Sequence, residues 1–260
     1  LRRLLAGLRD ERFDLVVDLQ GLLRSGILCG ATRAPLRLGF REGREGSPLF
    51  YTHRVRGGTD CHAIERYLKV AASLGAPTDR IEYTLGEASP GSRLLDSLPP
   101  VYVVMAPSAG GEAKRWPVEN FGRLAAQLPW PSLVISGKSD AALAEQLIAA
   151  SMGRAISLAG RTTLGEMTEV VRRAKAFISN DTGPMHIAAA FGVPVFAVFG
   201  PTSPLRTGPY GTGHTVIAAG LSCSPCFRRK KCSHWICMER ISVRQILNAI
   251  ESRIGFAESP

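Results

Sequence analysis

The 260-residue sequence contains no uninterrupted run of 18 apolar residues, which excludes a helix apolar enough to cross a membrane. Its longest apolar stretch, Met185 to Phe199, is interrupted by Gly192 and Pro194 and reads as a short buried helix followed by a buried strand. Leu1 to Arg12 is too charged for an apolar signal region and offers no small-residue cleavage site, so a cytoplasmic location is expected. The chain begins without Met, inside an amphipathic helical pattern, and upstream sequence is therefore expected. Tandem repeats and low-complexity blocks are absent. A hydrophobic share of 45% with mean hydropathy +0.05 excludes disorder and gives ample core for one large or two modest domains. Acidic residues are scarce: 22 Asp and Glu face 32 Lys and Arg, for a net charge of +10. That balance favours anionic partners such as nucleic acid, acidic lipid headgroups or phosphorylated small molecules.

What is present is an alternation of short β-branched runs with helical patterns, the mark of βαβ units around parallel sheets. The spacing predicts strands at Asp14 to Leu19, Val101 to Ala106, Ser132 to Ser136, Ala155 to Leu158, Ala176 to Ser179 and Pro194 to Phe199. It predicts helices at His62 to Leu74, Val118 to Leu128, Asp140 to Met152, Leu164 to Lys175, Pro184 to Phe191 and Ser242 to Ile254. Between Gly86 and Pro100 the composition shifts to Ser, Pro and Gly, which marks a linker between two α/β halves, residues 1–90 and 91–260. The first half offers a single clear strand. It is then either a small appendage or the remainder of a Rossmann-like domain whose first units lie upstream.

The sharpest local signal is Phe177-Ile178-Ser179-Asn180-Asp181-Thr182-Gly183-Pro184-Met185-His186, a strand and polar turn leading into a helix that starts at Pro and ends before Gly192. The free amides of such a first turn make an anion site at the carboxyl end of a strand. The alternative is that Asp181 or Thr182 simply caps the helix and His186 is half-buried. A second strand runs into Pro107-Ser108-Ala109-Gly110-Gly111-Glu112-Ala113-Lys114-Arg115-Trp116-Pro117. This loop lacks Walker A spacing, but its glycines let amides approach an anion and Lys114 supplies a point charge. Its alternative is a flexible surface turn with solvated cations.

Cys223, Cys226, Cys232 and Cys237 have the spacing C-x2-C-x5-C-x4-C, which allows a tetrahedral zinc site or, with Arg228 to Lys231 between the thiols, a nucleic-acid-binding knuckle. Reduced thiols tightening a loop fit the same spacing. In the first half, Asp18-Leu19-Gln20-Gly21-Leu22-Leu23-Arg24 follows the strand. Arg33, Arg37, Arg41 and Arg44 come soon after, either a clamp for a polyanion or a solvated basic face.

Taken in order, Asp18-Leu19-Gln20-Gly21-Leu22, Lys114-Arg115-Trp116-Pro117, Asn180 to His186, Phe199-Gly200-Pro201-Thr202 and Cys223-Ser224-Pro225-Cys226 resemble the lipopolysaccharide heptosyltransferases of glycosyltransferase family 9, the cysteine segment being closer to the II branch. The resemblance implies a GT-B fold, two Rossmann-like domains with the nucleotide sugar held by the C-terminal one. It implies ADP-heptose as donor and the anionic Kdo or heptose of the lipid A inner core as acceptor, with peripheral inner-membrane contact and no nucleic acid. Carried onto matching positions, Lys114 would neutralise the diphosphate, Thr182 and Gly183 would donate to it, and His186 would assist. Asp181 would orient the heptose, Ser108 would lie near the diphosphate, and Asp140 would meet the ribose. Gln20, Arg24 and Arg41 would face the acceptor. No cofactor or catalytic metal is implied. The family's general base is an Asp in a Gly-Asp turn, which residues 1–260 do not contain, so the base is expected upstream of Leu1. A family 9 enzyme using another nucleotide sugar and a basic zinc-knuckle protein are the competing readings.

Overall fold

The βαβ alternation produces two parallel sheets in a computed structural model that describes residues 2–85, 92–230, 232, 233 and 235–256. The chain divides into two compact units, Leu1–Glu82 and Tyr83–Pro260. Residues 86–91, where the expected 90/91 boundary falls, lie outside the described residues. The remainder of the expected linker includes a short helix beginning at Arg93, and is not all loop.

In the first unit, helix α1 (Arg2–Asp10), strand β1 (Leu15–Asp18), helix α2 (Leu23–Ala31), strands β2 (Leu36–Phe40) and β3 (His53–Val55), and helix α3 (Ala63–Ser73) follow one another. The three strands form a parallel sheet in the order β1-β2-β3, which corrects the expectation of a single strand. β2 escapes pattern reading because it carries Arg37 and Gly39. Arg37 is satisfied locally, its guanidinium donating to the carbonyls of Ala34 and Phe50 at 2.5 and 2.9 Å. Gly39 is small because the Tyr51 ring occupies the space a Cβ would need. That ring carries its hydroxyl to Asp18 Oδ2, 2.7 Å away. Asp18 also accepts from the amides of Gln20 and Gly21 at 2.9 and 3.0 Å, closing the turn that Gly21 makes at φ +65. Burial, together with the neighbouring Asp18 carboxylate, pushes the Tyr51 phenol up to about 12.

The second unit contains α4 (Arg93–Asp96), β4 (Val103–Ala106), α5 (Val118–Ala125), β5 (Ser132–Val134), α6 (Ala141–Ala149), β6 (Ala155–Ser157), α7 (Leu164–Arg172), β7 (Ala176–Asn180), α8 (Gly183–Ala190), β8 (Val195–Phe199), α9 (Pro204–Thr207), β9 (Thr215–Ala218), α10 (Ile236–Glu239) and α11 (Val243–Ile254). Its six parallel strands run in the order β6-β5-β4-β7-β8-β9, one more strand than expected, because β9 is short and lies at an edge. Strands β4, β7 and β8 are buried throughout, as continuous Val, Ile, Phe and Ala runs covered on both faces require. One face packs against a cluster that includes Trp116, Phe121, Leu147 and Ile250, the other against one that includes Tyr102, Val170 and Met185. Capping boxes, Thr163 with Glu166 and Ser242 with Gln245, fix the starts of α7 and α11.

His214, just before β9, accepts a hydrogen bond at Nδ1 from the Val195 amide at 3.3 Å. Burial, aided by the charge of Arg253 and opposed by a hydrogen bond with the Tyr210 backbone, lowers its pKa below the ordinary histidine value. The neutral ring is therefore the folded form. Its contribution to stability is complete above the unfolded pKa of about 6.5 and is lost as pH falls from there through the lower folded value. Thermal melts between pH 7 and 5 should show a decline for the parent protein that His214→Asn flattens.

Candidate functional site

The strand order of the second unit reverses between β4 and β7: the chain builds outward through β5 and β6, then returns to add β7, β8 and β9 on the other side. Loops leaving the carboxyl ends of β4 and β7 diverge there, opening the crevice in which doubly wound sheets bind ligands. The two strongest sequence motifs are those two loops.

The loop after β7 delivers Asp181 and Thr182 to the start of α8. Pro184 occupies its first turn, where a missing amide costs nothing, and Gly192 follows its end at φ +71. Thr182 is the N-cap residue, yet its side chain makes no capping hydrogen bond. Asp181 does not cap either: its carboxylate, 8% exposed, accepts from Lys114 Nζ at 2.6 Å. The helix dipole, the Thr182 hydroxyl and the Lys114 ammonium therefore collect beside one buried carboxylate. His186 stands on the same first turns and is exposed.

The loop after β4 is held from several directions. Asn180, fully buried, accepts from the Trp116 amide at 2.9 Å and donates to the Pro107 carbonyl at 2.7 Å, tying both ends of the loop to β7. The Ala113 amide donates to the Arg229 carbonyl at 3.3 Å, and the Ala113 carbonyl accepts from the Trp235 indole at 2.9 Å. The Trp116 indole donates to the Ile241 carbonyl at 2.8 Å. Gly111 is small for a reason: a Cβ there would stand 2.8 Å from the Arg229 carbonyl oxygen. Farther along, the Ser224 hydroxyl donates to the Gly200 carbonyl and the Phe227 amide to that of Pro201. Four of the quoted motifs thus meet in one place, and the cysteine segment braces the loop that carries Lys114.

Among the described residues, no three His, Cys, Asp or Glu side chains gather so as to hold a metal ion. Cys223 and Cys226 are exposed, whereas Cys232 and Cys237 pack against the hydrophobic core, and all are free thiols. Burial, then the neighbouring thiols Cys226, Cys232 and Cys223, push the Cys237 thiol up.

Beside the two loops lies a cavity of about 390 Å³, within the range of small-molecule sites. Ile135, Leu164, Met167 and Pro184 give it apolar walls, and Ser108 and Thr182 line it together with Ser136, Gly137, Thr162 and Thr163. The Ser108 hydroxyl is buried and makes no hydrogen bond. Asp140 does not line this cavity; it accepts from Arg115 at 3.4 Å, and Arg115 in turn donates to the Ala109 carbonyl at 3.2 Å. The walls from Ser136 to Met167 are contributed by the ends of β5, β6 and α7. Sequence reading missed them, since they converge only in the fold. In the first unit, Gln20, Arg24 and Arg41 are exposed, at or just past the carboxyl ends of β1 and β2 or in the first turn of α2. No described helix is long and apolar enough to cross a membrane.

Two units built on parallel sheets, the second wound in Rossmann order, give the α/β GT-B fold. The structure of Escherichia coli ADP-heptose lipopolysaccharide heptosyltransferase II superposes on 97% of this chain and 80% of its own at TM-score 0.73 and 24% identity. The sequence profile of glycosyltransferase family 9 (heptosyltransferase) matches residues 1–236, and the chain belongs to that family. It is 30% identical over 255 residues to lipopolysaccharide heptosyltransferase 1 of Pseudomonas aeruginosa, covering 90% of this chain and 67% of the relative. It is 24% identical over 221 residues to lipopolysaccharide core heptosyltransferase OpsX of Haemophilus influenzae, covering 81% of this chain and 64% of that protein. The chain thus spans about two thirds of the length of these curated relatives.

Proposed function

We propose that this chain belongs to an inverting glycosyltransferase that moves L-glycero-D-manno-heptose from ADP-heptose to the inner core of lipopolysaccharide. The observation that carries the reading is the Lys114–Asp181 pair at 2.6 Å, set at the sheet's switch point beside an uncapped helix start. Family membership and relatives that act on lipopolysaccharide support the choice of sugar and acceptor.

In this reading the adenosine enters the 390 Å³ cavity, where Ile135, Leu164 and Met167 offer apolar contact and the unpartnered Ser108 hydroxyl a hydrogen bond. The diphosphate lies against Lys114, the Thr182 hydroxyl and the Gly183 amide, with His186 donating from the helix. An acceptor hydroxyl attacks the anomeric carbon as its bond to the diphosphate oxygen breaks, and the charge that develops on ADP is met by groups already in position. Asp181, held by Lys114 at 2.6 Å, orients the heptose hydroxyls. Gln20, Arg24 and Arg41 take the negative charge of the acceptor. Asp18 is committed to the turn after β1 and is not assigned as the base.

Calorimetric titration with ADP, UDP, GDP and CMP tests the donor assignment. ADP should bind at least about tenfold more tightly than the others, a difference of about 1.4 kcal/mol. A preference for another nucleotide would assign another donor within the family, and no binding by a folded chain would remove the donor site from this unit.

A further inference from the structure

The turn that follows β8, Gly200-Pro201, is gripped by two parts of the cysteine segment. The Ser224 hydroxyl donates to the Gly200 carbonyl and the Phe227 amide to the Pro201 carbonyl, which sets Cys223 and Cys226 along the turn. Cys237 Sγ packs onto Gly200 itself, since a Cβ there would stand 3.1 Å from that sulfur. Cys226 is exposed, whereas Cys237 is half-buried against the hydrophobic core. After burial, the charge of Cys226 is the strongest influence raising the Cys237 thiol, so the two sulfurs lie close enough to sense each other. Their surroundings differ in kind. Arg228, Arg229 and Lys230 follow Cys226 and are all exposed, and no Asp or Glu occurs from Thr182 to Met238. Cations beside an exposed thiol favour the thiolate, the form that oxidants attack, while an apolar setting keeps Cys237 protonated. An accessible, cation-flanked sulfur next to a sheltered one is the arrangement of an attacking and a resolving cysteine.

We propose that Cys226 and Cys237 form an oxidation site for hydrogen peroxide, closing to a disulfide that loosens the brace on the loop carrying Lys114. The Cys226 thiolate attacks one peroxide oxygen, the O–O bond breaks, and the departing hydroxide takes up the proton that Cys226 released, leaving a sulfenic acid and one water. The Cys237 sulfur then attacks the Cys226 sulfur, and its proton leaves with the sulfenic hydroxyl as a second water. The two thiols together lose two electrons, and the peroxide gains them. A disulfide needs its two Cα atoms within about 7 Å, so the exposed Cys226 must be drawn inward. Phe227 yields first: its backbone sits in the left-handed region at φ +56, unfavourable for a bulky side chain, and its amide is tied to Pro201. Moving Cys226 releases that conformation and shifts Arg229, whose carbonyl accepts from the Ala113 amide. Trp235, whose indole donates to the Ala113 carbonyl, lies inside the same ring closed by the disulfide. Both contacts to Ala113 therefore change with the redox state. A reducing compartment restores the thiols, which makes the oxidised form a transient one. Neither the thiol pair nor the brace depends on which nucleotide the loop binds.

Peptide mapping and amide hydrogen exchange of the full chain, before and after treatment with hydrogen peroxide, test both halves. The treated chain should lose two of its six free thiols, yield a linked Cys226–Cys237 peptide pair, and regain both thiols with dithiothreitol. Exchange of the amides from Gly110 to Arg115, that of Ala113 among them, should quicken by about fivefold or more, the lower end of coupling between two sites. Reduction should return it to the starting rate. Cys226→Ser changes an exposed side chain and should abolish both effects, whereas Cys223→Ser should leave both in place. Melting curves identify a variant that fails to fold, and the parent chain alone still decides through its peptide map and exchange rates. A Cys223–Cys226 disulfide in place of Cys226–Cys237, thiols that peroxide leaves untouched, exchange unchanged by oxidation, or a zinc or iron ion retained by the thiols and shielding them would each overturn the proposal.

Discussion

Lys114→Ala is expected to lower ADP affinity by about ten- to a hundredfold in a calorimetric titration, the loss of one charge-assisted hydrogen bond worth about 1.5–3 kcal/mol. The deletion acts twice in the same direction. It removes the cation, and it leaves the Asp181 carboxylate, otherwise paired at 2.6 Å, facing the incoming diphosphate alone. Folding stability should also fall, because Asp181 is 9% exposed at its side chain and loses its partner. Breaking a fully buried pair costs about 3–5 kcal/mol. The Lys114 side chain is 26% exposed, so water re-enters and a loss of about 1–3 kcal/mol is expected in urea denaturation. The double variant Lys114→Ala with Asp181→Asn separates the two effects. Neutralising the orphaned carboxylate should recover most of the stability, while ADP affinity stays low because the cation is still missing. If affinity returned along with stability, Lys114 would act only through the fold and the anion site would lie elsewhere.

The parts of this molecule legible in its sequence are those whose signals are local. Pro184 and Gly192 bound α8 because each has a conformational requirement that no partner is needed to satisfy. The buried strands β4, β7 and β8 announce themselves as continuous apolar runs. β2 and β9 do not, for opposite reasons. In β2, Arg37 and Gly39 break the pattern, and only tertiary contacts, two carbonyls for the guanidinium and the Tyr51 ring for the missing Cβ, make them suitable. β9 is a short edge strand between glycines with one buried residue, too little apolar periodicity to stand out. The cysteine segment shows a different limit. Its spacing points to metal chemistry, but what the fold uses is a backbone carbonyl at Arg229 and an indole at Trp235, and spacing arithmetic describes neither. The same holds for the cavity wall, where Ser136, Thr162 and Met167 come from separate strand ends and meet only once the sheet order is known.

Asn180→Ala should be the most damaging single change in the second unit that touches no proposed ligand. Its side chain is fully buried and both ends of its amide are used, Oδ1 by the Trp116 amide and Nδ2 by the Pro107 carbonyl. Alanine leaves a buried donor and a buried acceptor without partners, each costing about 1–3 kcal/mol, so a stability loss of roughly 2–5 kcal/mol is expected in urea denaturation. Aspartate does not rescue it. Its carboxylate still accepts from the Trp116 amide, but it turns an oxygen toward the Pro107 carbonyl and adds a second negative charge beside Asp181, so Asn180→Asp should be at least as destabilised. The consequence for binding follows from the loop's composition. Gly110 and Gly111 give the segment little stiffness of its own, and Asn180 holds both of its ends to β7. Without that tie the Lys114 ammonium samples positions away from the start of α8, and ADP must order the loop as it binds. ADP affinity should therefore fall about tenfold in calorimetry although Asn180 donates nothing to the nucleotide. Undiminished affinity in a destabilised Asn180→Ala protein would mean that the Ala113 contacts to Arg229 and Trp235 hold the loop unaided.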